Sequence, residues 1–140
     1  MKKSSRILAL LLAGVMVLSL AACGGDKKDD AAASEIAMIT DKGDINDKSF
    51  NQGTWEGIQA WSEKNSKKCQ YYKPVEATTD AYVAMIEQAI KDGNKVVVTP
   101  GFLFEEPIYL VQDKYPDVKF ILIDGNPHSA DYSDYKTADN

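Results

Sequence analysis

The sequence predicts an α/β fold, a parallel sheet with helices on both faces. Two observations carry this. From residue 36 onward, short apolar runs alternate with segments of helical periodicity, which is the pattern of βαβ units. Two of those runs, residues 95–99 with three consecutive valines and residues 118–123, are almost unbrokenly apolar, as expected of strands buried on both faces.

The elements follow in order. Residues 36–40 form the first predicted strand. Residues 49–64 form a helix in which Trp55, Ile58 and Trp61 recur at helical spacing. Ser49 with Gln52 three residues on is a capping-box pattern, and Asp47 is a competing cap. Gly53 and Gly57 share one helix face, suited to close packing on the sheet. Residues 69–75 form a second strand with Pro74 near its end, and Cys69 reads as a small packing residue there. Residues 80–92 form a helix that Asp80 can cap, with Tyr82, Met85, Ile86, Ala89 and Ile90 as its apolar face. Gly93 stands where a helix C-terminal glycine belongs. Residues 95–99 are the third strand. A third helix is predicted over 107–115, with Pro107 in its first turn, Ile108, Val111 and Tyr115 as its stripe and Pro116 as its stop. Glu105 and Glu106 favour its N-terminus electrostatically. Residues 118–123 are the fourth strand. Residues 125–140 are polar and turn-rich, with no further element predicted.

The N-terminus has a different character. Lys2, Lys3 and Arg6 precede an apolar run over residues 7–20 that only Gly14 and Ser19 interrupt. That run is short for a bilayer span and has the length and flanks of a signal-peptide core. Leu20-Ala21-Ala22-Cys23 then resembles the lipobox of bacterial lipoproteins, in which a cysteine thiol takes the lipid. Residues 1–22 are therefore expected to be a signal peptide and Cys23 the lipidated residue. Residues 23–34 carry dense charge and little to bury, the composition of a disordered tether. The folded lobe is expected over residues 35–140.

Loss of the three signal-peptide cations takes the formal net charge from −5 to −8 over about 118 mature residues. An acidic surface argues against nucleic acid, whose phosphates require Lys and Arg. It argues equally against a polybasic membrane patch, so attachment must come from the lipid. With Cys23 lipidated, Cys69 has no disulfide partner. The single histidine, His128, has no Cys or His at ligand spacing, so neither a metal nor another cofactor is expected. Neither a phosphate-cradling glycine pattern after the first strand nor a Gly-x-Ser-x-Gly elbow is present, and the reading is of a binding protein rather than an enzyme.

Ligands of open parallel sheets bind beyond the carboxyl ends of the strands, which singles out three loops. Residues 40–52 follow the first strand, residues 99–102 the third and residues 124–126 the fourth. Within them, the run from Ile45 through Asn46, Asp47, Lys48, Ser49, Phe50 and Asn51 to Gln52, then Trp55-Glu56-Gly57, resembles the signature of the BMP family of substrate-binding lipoproteins. Pro100-Gly101-Phe102 and Ile123-Asp124 are similar to that family too. The resemblance covers residues 35–140. It implies one lobe of a type I periplasmic-binding-protein-like fold and a nucleoside ligand, with purine nucleosides foremost. It also implies permease and ATPase partners of an ABC transporter, and a place on the outer face of the cytoplasmic membrane. Family members are longer, so the chain corresponds to the N-terminal lobe and a second lobe is expected to supply the other half of the pocket.

The candidate ligand-binding residues are Asp41, Asn46, Asp47, Ser49, Phe50, Asn51, Gly101, Phe102 and Asp124. A carboxylate accepts bidentate hydrogen bonds from ribose hydroxyls, Asn46 can donate and accept, and Phe50 or Phe102 can stack on a base. A phosphorylated ligand fits less well, because Asp41, Asp44 and Asp47 repel it. Several have a structural alternative: Asp47 or Ser49 as helix cap, Asn46 as turn residue, Phe50 as core and Phe102 as loop packing.

Overall fold

The structure, a computed structural model, describes residues 34–136; the expected signal peptide, Cys23 and nearly all of the tether lie outside them. Four parallel strands form one sheet: β1 (Ile36–Ile39), β2 (Cys69–Tyr72), β3 (Val96–Pro100) and β4 (Lys119–Ile123), in the order β2-β1-β3-β4. Ile36 pairs with Cys69 on one side and with Val96 on the other, and Val96 pairs in turn with Lys119. The chain therefore moves outward from β1 to β2 and then crosses to the opposite side of β1. The strand order reverses between β1 and β3, so a crevice opens at their carboxyl ends.

Three helices make the crossovers: α1 (Phe50–Lys64), α2 (Thr79–Lys91) and α3 (Glu105–Val111). The apolar spacing of α2 puts Tyr82, Ile86 and Ala89 in the core, where they meet Ala37, Ile39 and Val97 of the sheet and Phe104, Ile108 and Val111 of the following segment. Tyr82 and Phe104 pack ring on ring with centroids 4.6 Å apart. Side chains of this size each contribute about 1.5–3 kcal/mol when removed from water, so this layer is the stabilising centre of the lobe. Gly93 takes φ 101°, the left-handed conformation that ends α2.

The other face differs from the prediction. α1 packs on this face against β2 and also touches β3, with Trp55 set edge-on against Tyr71 at 5.3 Å. Over β3 and β4 this face stays open as an apolar groove of about 940 Å³, lined by Phe50, Ile58 and Trp61 of α1 and by Val98, Ile121 and Ile123 of the sheet. Trp61 and Phe50 are each 51% exposed and Ile121 48%. Gly53 and Gly57 border the groove, and a Cβ on either would meet no atom within 4 Å. Their expected close packing on the sheet is therefore absent among the described residues, because nothing there covers this part of the face.

Several ends shift too. The side chain of Ser49 makes no capping bond to α1; Asp47 Oδ1 accepts the backbone N–H of Ser49 at 2.8 Å and of Gln52 at 3.1 Å. Thr78, not Asp80, caps α2, its hydroxyl accepting the Ala81 N–H at 3.2 Å. β2 stops at Tyr72, before Pro74, which has no N–H for a ladder. The third helix begins two residues before Pro107 and ends at Val111, with 3-10 turns at Phe102–Phe104 and Gln112–Lys114 on either side. Beyond β4 the chain is not featureless. His128 and Tyr135 form an antiparallel bridge, while Tyr109 donates to Asp134 at 2.7 Å and Lys136 pairs with Asp113 at 2.6 Å, fastening this segment to α3 and to the 3-10 turn that follows it.

Candidate functional site

The three candidate loops all lie at the carboxyl edge of the sheet. In the first, Asp41, Asp47 and Asn51 are brought together. The Asn51 amide donates to Asp41 Oδ1 at 2.6 Å and to Asp47 Oδ2 at 2.7 Å, and its carbonyl accepts the Asp41 N–H at 3.1 Å. Asp41 Oδ1 also accepts the Gly43 N–H at 2.6 Å. Asn51 is 1% exposed. A Cβ on Gly43 would stand 2.5 Å from the Asn51 amide nitrogen, so only glycine fits beneath this knot. The three side chains face one another and hold the loop.

The electrostatics agree. Burial pushes the Asp47 carboxyl up, but the bonds from Asn51 and from the backbone of Gln52 and Ser49 outweigh it, and the net shift is downward. Asp44 is also lowered, chiefly by the Lys73 ammonium 2.7 Å away.

Other candidates in this loop are turned outward. Asn46 is exposed and its side chain makes no hydrogen bond among the described residues. Ser49 is exposed at the head of α1 and lines the groove beside Phe50. Phe50 is not a core residue, and its ring stands half exposed. Phe102 is 69% exposed. Phe50 opens the helix on one face of the sheet, whereas Phe102 opens the segment leading into α3 on the other. No ring contact joins the two among the described residues.

Gly101 adopts φ 98° and its N–H donates to the Ile123 carbonyl at 2.7 Å, tying the ends of β3 and β4 together. Asp124 follows directly at φ 58°, a left-handed conformation unusual for a residue with a side chain. It is exposed, and its carboxylate has no hydrogen-bond partner among the described residues. Asn46, Ser49, Phe50, Phe102 and Asp124 thus present free polar or aromatic groups at the strand ends, while Asp41, Asp47 and Asn51 form the support behind them.

Sequence reasoning missed two participants. Glu105 Oε1 accepts the Asn126 N–H at 2.8 Å, and Glu105 Oε2 lies 3.1 Å from His128 Nε2. These contacts span 21 and 23 residues and leave no local trace. Tyr82 was legible as core, but its buried hydroxyl, with no hydrogen-bond partner among the described residues, sits within the field of Asp41, and burial followed by that charge raises its pKa.

Comparisons with known proteins bear on the family and the fold. Residues 34–133 match the family model Bmp, described as ABC transporter substrate-binding protein PnrA-like. The chain is 31% identical over 134 residues to the CD4+ T-cell-stimulating antigen of Listeria innocua, covering 89% of the chain and 38% of that protein. It is 28% identical over 153 residues to the ABC transporter nucleoside-binding protein BmpA of Lactococcus lactis, covering 98% of the chain and 42% of that protein. Among solved structures, an ABC transporter solute-binding protein of Conexibacter woesei superposes with a TM-score of 0.55 at 28% identity, over 63% of this chain and 28% of that one. The chain thus spans about two fifths of the length of these curated relatives, and the parallel sheet matches one lobe of such a receptor. With a family model matched across nearly all of the described residues, the chain belongs to the Bmp family of PnrA-like ABC transporter substrate-binding proteins.

Proposed function

We propose that this chain is the N-terminal ligand-binding lobe of a membrane-anchored receptor that captures a nucleoside, of the purine class, for an ABC importer. It acts by binding, with no catalytic step. The observation that carries the reading is the exposed Phe50 ring at the head of α1, beside Ser49, in the same loop as the exposed Asn46 and, like Asp124, at the carboxyl edge of the sheet. A flat apolar face beside unpaired donors and acceptors suits a base joined to a ribose. Stacking on an aromatic is worth about 1–3 kcal/mol per base, and Asp124 can accept from two ribose hydroxyls. The name of the Lactococcus relative supports the same ligand class. Anchoring is proposed through a lipid on Cys23, holding the lobe on the outer face of the cytoplasmic membrane for a permease and its ATPase. No helix among the described residues is long and apolar enough to cross a membrane.

The test is an NMR titration of the chain with inosine, adenosine, guanosine, uridine and ribose. Purine nucleosides are expected to shift the Phe50 ring and the Asn46 side-chain amide more than ribose does. Shifts from ribose alone would replace the nucleoside with a sugar. No shift at these residues with any of the five, each added at concentrations that register millimolar binding, would overturn the site.

A further inference from the structure

Where the segment after β4 begins, one carboxylate holds it; Tyr109 and Asp113 hold its far end through Asp134 and Lys136. Glu105, the first residue of α3, divides its two oxygens between the Asn126 N–H at 2.8 Å and the His128 ring at 3.1 Å. It packs directly under the turn at residues 124–126, for a Cβ on Gly125 would come within 3.0 Å of Glu105 Cγ. The residue before that glycine is Asp124, held in its left-handed conformation. A strained residue of this kind persists when its surroundings over-determine it, and here it is bracketed by the Gly101 N–H to Ile123 carbonyl bond before it and the Asn126 N–H to Glu105 bond after it.

His128 is the second partner of the Glu105 carboxylate. Its ring is buried, stacked on Tyr132 at 4.0 Å and tilted against Tyr135 at 5.6 Å. Both ring nitrogens face acceptors: Nδ1 lies 2.7 Å from the Ser129 carbonyl and Nε2 lies 3.1 Å from Glu105. A neutral imidazole carries one N–H and satisfies only one of them, whereas the imidazolium satisfies both. Around the ring, α3 contributes the charges of Glu105 and Glu106, and the segment itself contributes the two tyrosines. The Ser129 carbonyl and then Glu105 and Glu106 favour the proton, burial opposes it, and the balance is upward.

We propose that Glu105 is the positioning residue for the turn at 124–126 and that His128 is its proton-operated latch. With the ring protonated, the turn is drawn onto α3 and Asp124 is presented at the strand ends. With the ring neutral, its one N–H goes to the Ser129 carbonyl, the shorter of the two contacts at 2.7 Å, the Glu105 contact is lost and the turn loosens. The link to ligand capture rests on the reading of Asp124 as a nucleoside contact; the latch itself does not.

The sequence contains a single histidine, so its imidazole nitrogens can be followed by NMR without ambiguity. The full chain is titrated from about pH 5 to 9, the range in which histidine changes charge, with the backbone amides recorded alongside. The Asn126 amide is expected to move with the same midpoint as the ring. In E105Q the amide oxygen still accepts from Asn126 while its NH2 can donate to neutral His128. That variant should keep the turn, lower the ring's midpoint and leave the Asn126 amide flat with pH. An Asn126 amide that ignores the ring's titration in the unaltered chain, or an unchanged midpoint in E105Q, overturns the latch. Inosine added at both ends of the titration supplies the second arm. Weaker binding at the alkaline end, abolished as a pH effect in E105Q, supports the link to Asp124. Binding that is flat with pH while the Asn126 amide titrates overturns that link. If inosine binds at neither pH, the nucleoside reading fails, and the amide titration alone still decides the latch.

Discussion

Asn51 joins Asp41 to Asp47: one amide group donates to both carboxylates, at 2.6 and 2.7 Å, and thereby fixes the start of α1 against the end of β1. Two negative groups can share this corner because a neutral donor stands between them. Removing that donor leaves two carboxylates facing each other.

Asn51→Ala is therefore expected to destabilise the lobe by about 2–4 kcal/mol, since hydrogen bonds to charged groups are worth about 1.5–3 kcal/mol each. Asn51→Asp should be worse at neutral pH and should recover as the pH falls into the carboxylate range. Urea denaturation at two pH values measures both. A loss below 0.5 kcal/mol for Asn51→Ala would mean that water replaces the amide without cost.

Asp47 links stability to pH. Its folded-state pKa lies below the ordinary 3.8, so its contribution is present above that value and is lost as the pH falls through the lowered one. The chain should lose stability in that acid window. Asp47→Asn should be less stable at pH 7 and should show a smaller acid-side loss. Equal acid-side slopes in the two proteins would remove Asp47 from the linkage.

The helix starts separate two hydroxyls. Thr78→Ala removes the acceptor for the Ala81 N–H and should cost about 1 kcal/mol. Ser49→Ala removes no capping bond and should stay within about 0.5 kcal/mol of the unaltered chain. Thermal melts of the pair check this directly. The opposite ranking would restore the capping box that the Ser49 and Gln52 spacing suggests.

The 140-residue chain alone should bind nucleosides at millimolar strength or weaker, near −4 kcal/mol. It offers one wall, with Phe50 and Phe102 exposed and opening on different faces. A base stacked on one side only keeps its other face in water, and the ribose bonds compete with solvent. Immobilising the ligand adds several kcal/mol of cost. A micromolar dissociation constant for a monomer, measured by NMR titration, would show that one wall suffices.

Cys23→Ser should abolish incorporation of radiolabelled palmitate in a bacterial host. Equal label on the variant would refute lipidation at Cys23.

The sequence by itself determined the order and kind of the elements. Apolar periodicity, the glycine at 93 and the unbroken valines of β3 act over a few residues, and hydrophobic burial follows that pattern wherever the element is placed. Loop chemistry was legible as well, because polar runs at strand ends can be located once the strands are. Which loop residues face a ligand was not. Asp41, Asp47 and Asn51 read in sequence like Asn46 and Ser49, yet the fold turned the first three inward onto one another, where they accept the N–H groups of Asp41, Gly43, Ser49 and Gln52. The open groove over β3 and β4 was equally hidden, because an apolar strand predicts that it will be covered and does not say by what. Glu105 shows the limit most plainly. Local pattern makes it a helix-start acid, and only the folding of residues 125–136 back onto α3 brings Asn126 and His128 within hydrogen-bond reach of its carboxylate. Contacts across more than 20 residues depend on the path of the whole chain, and no window of sequence contains them.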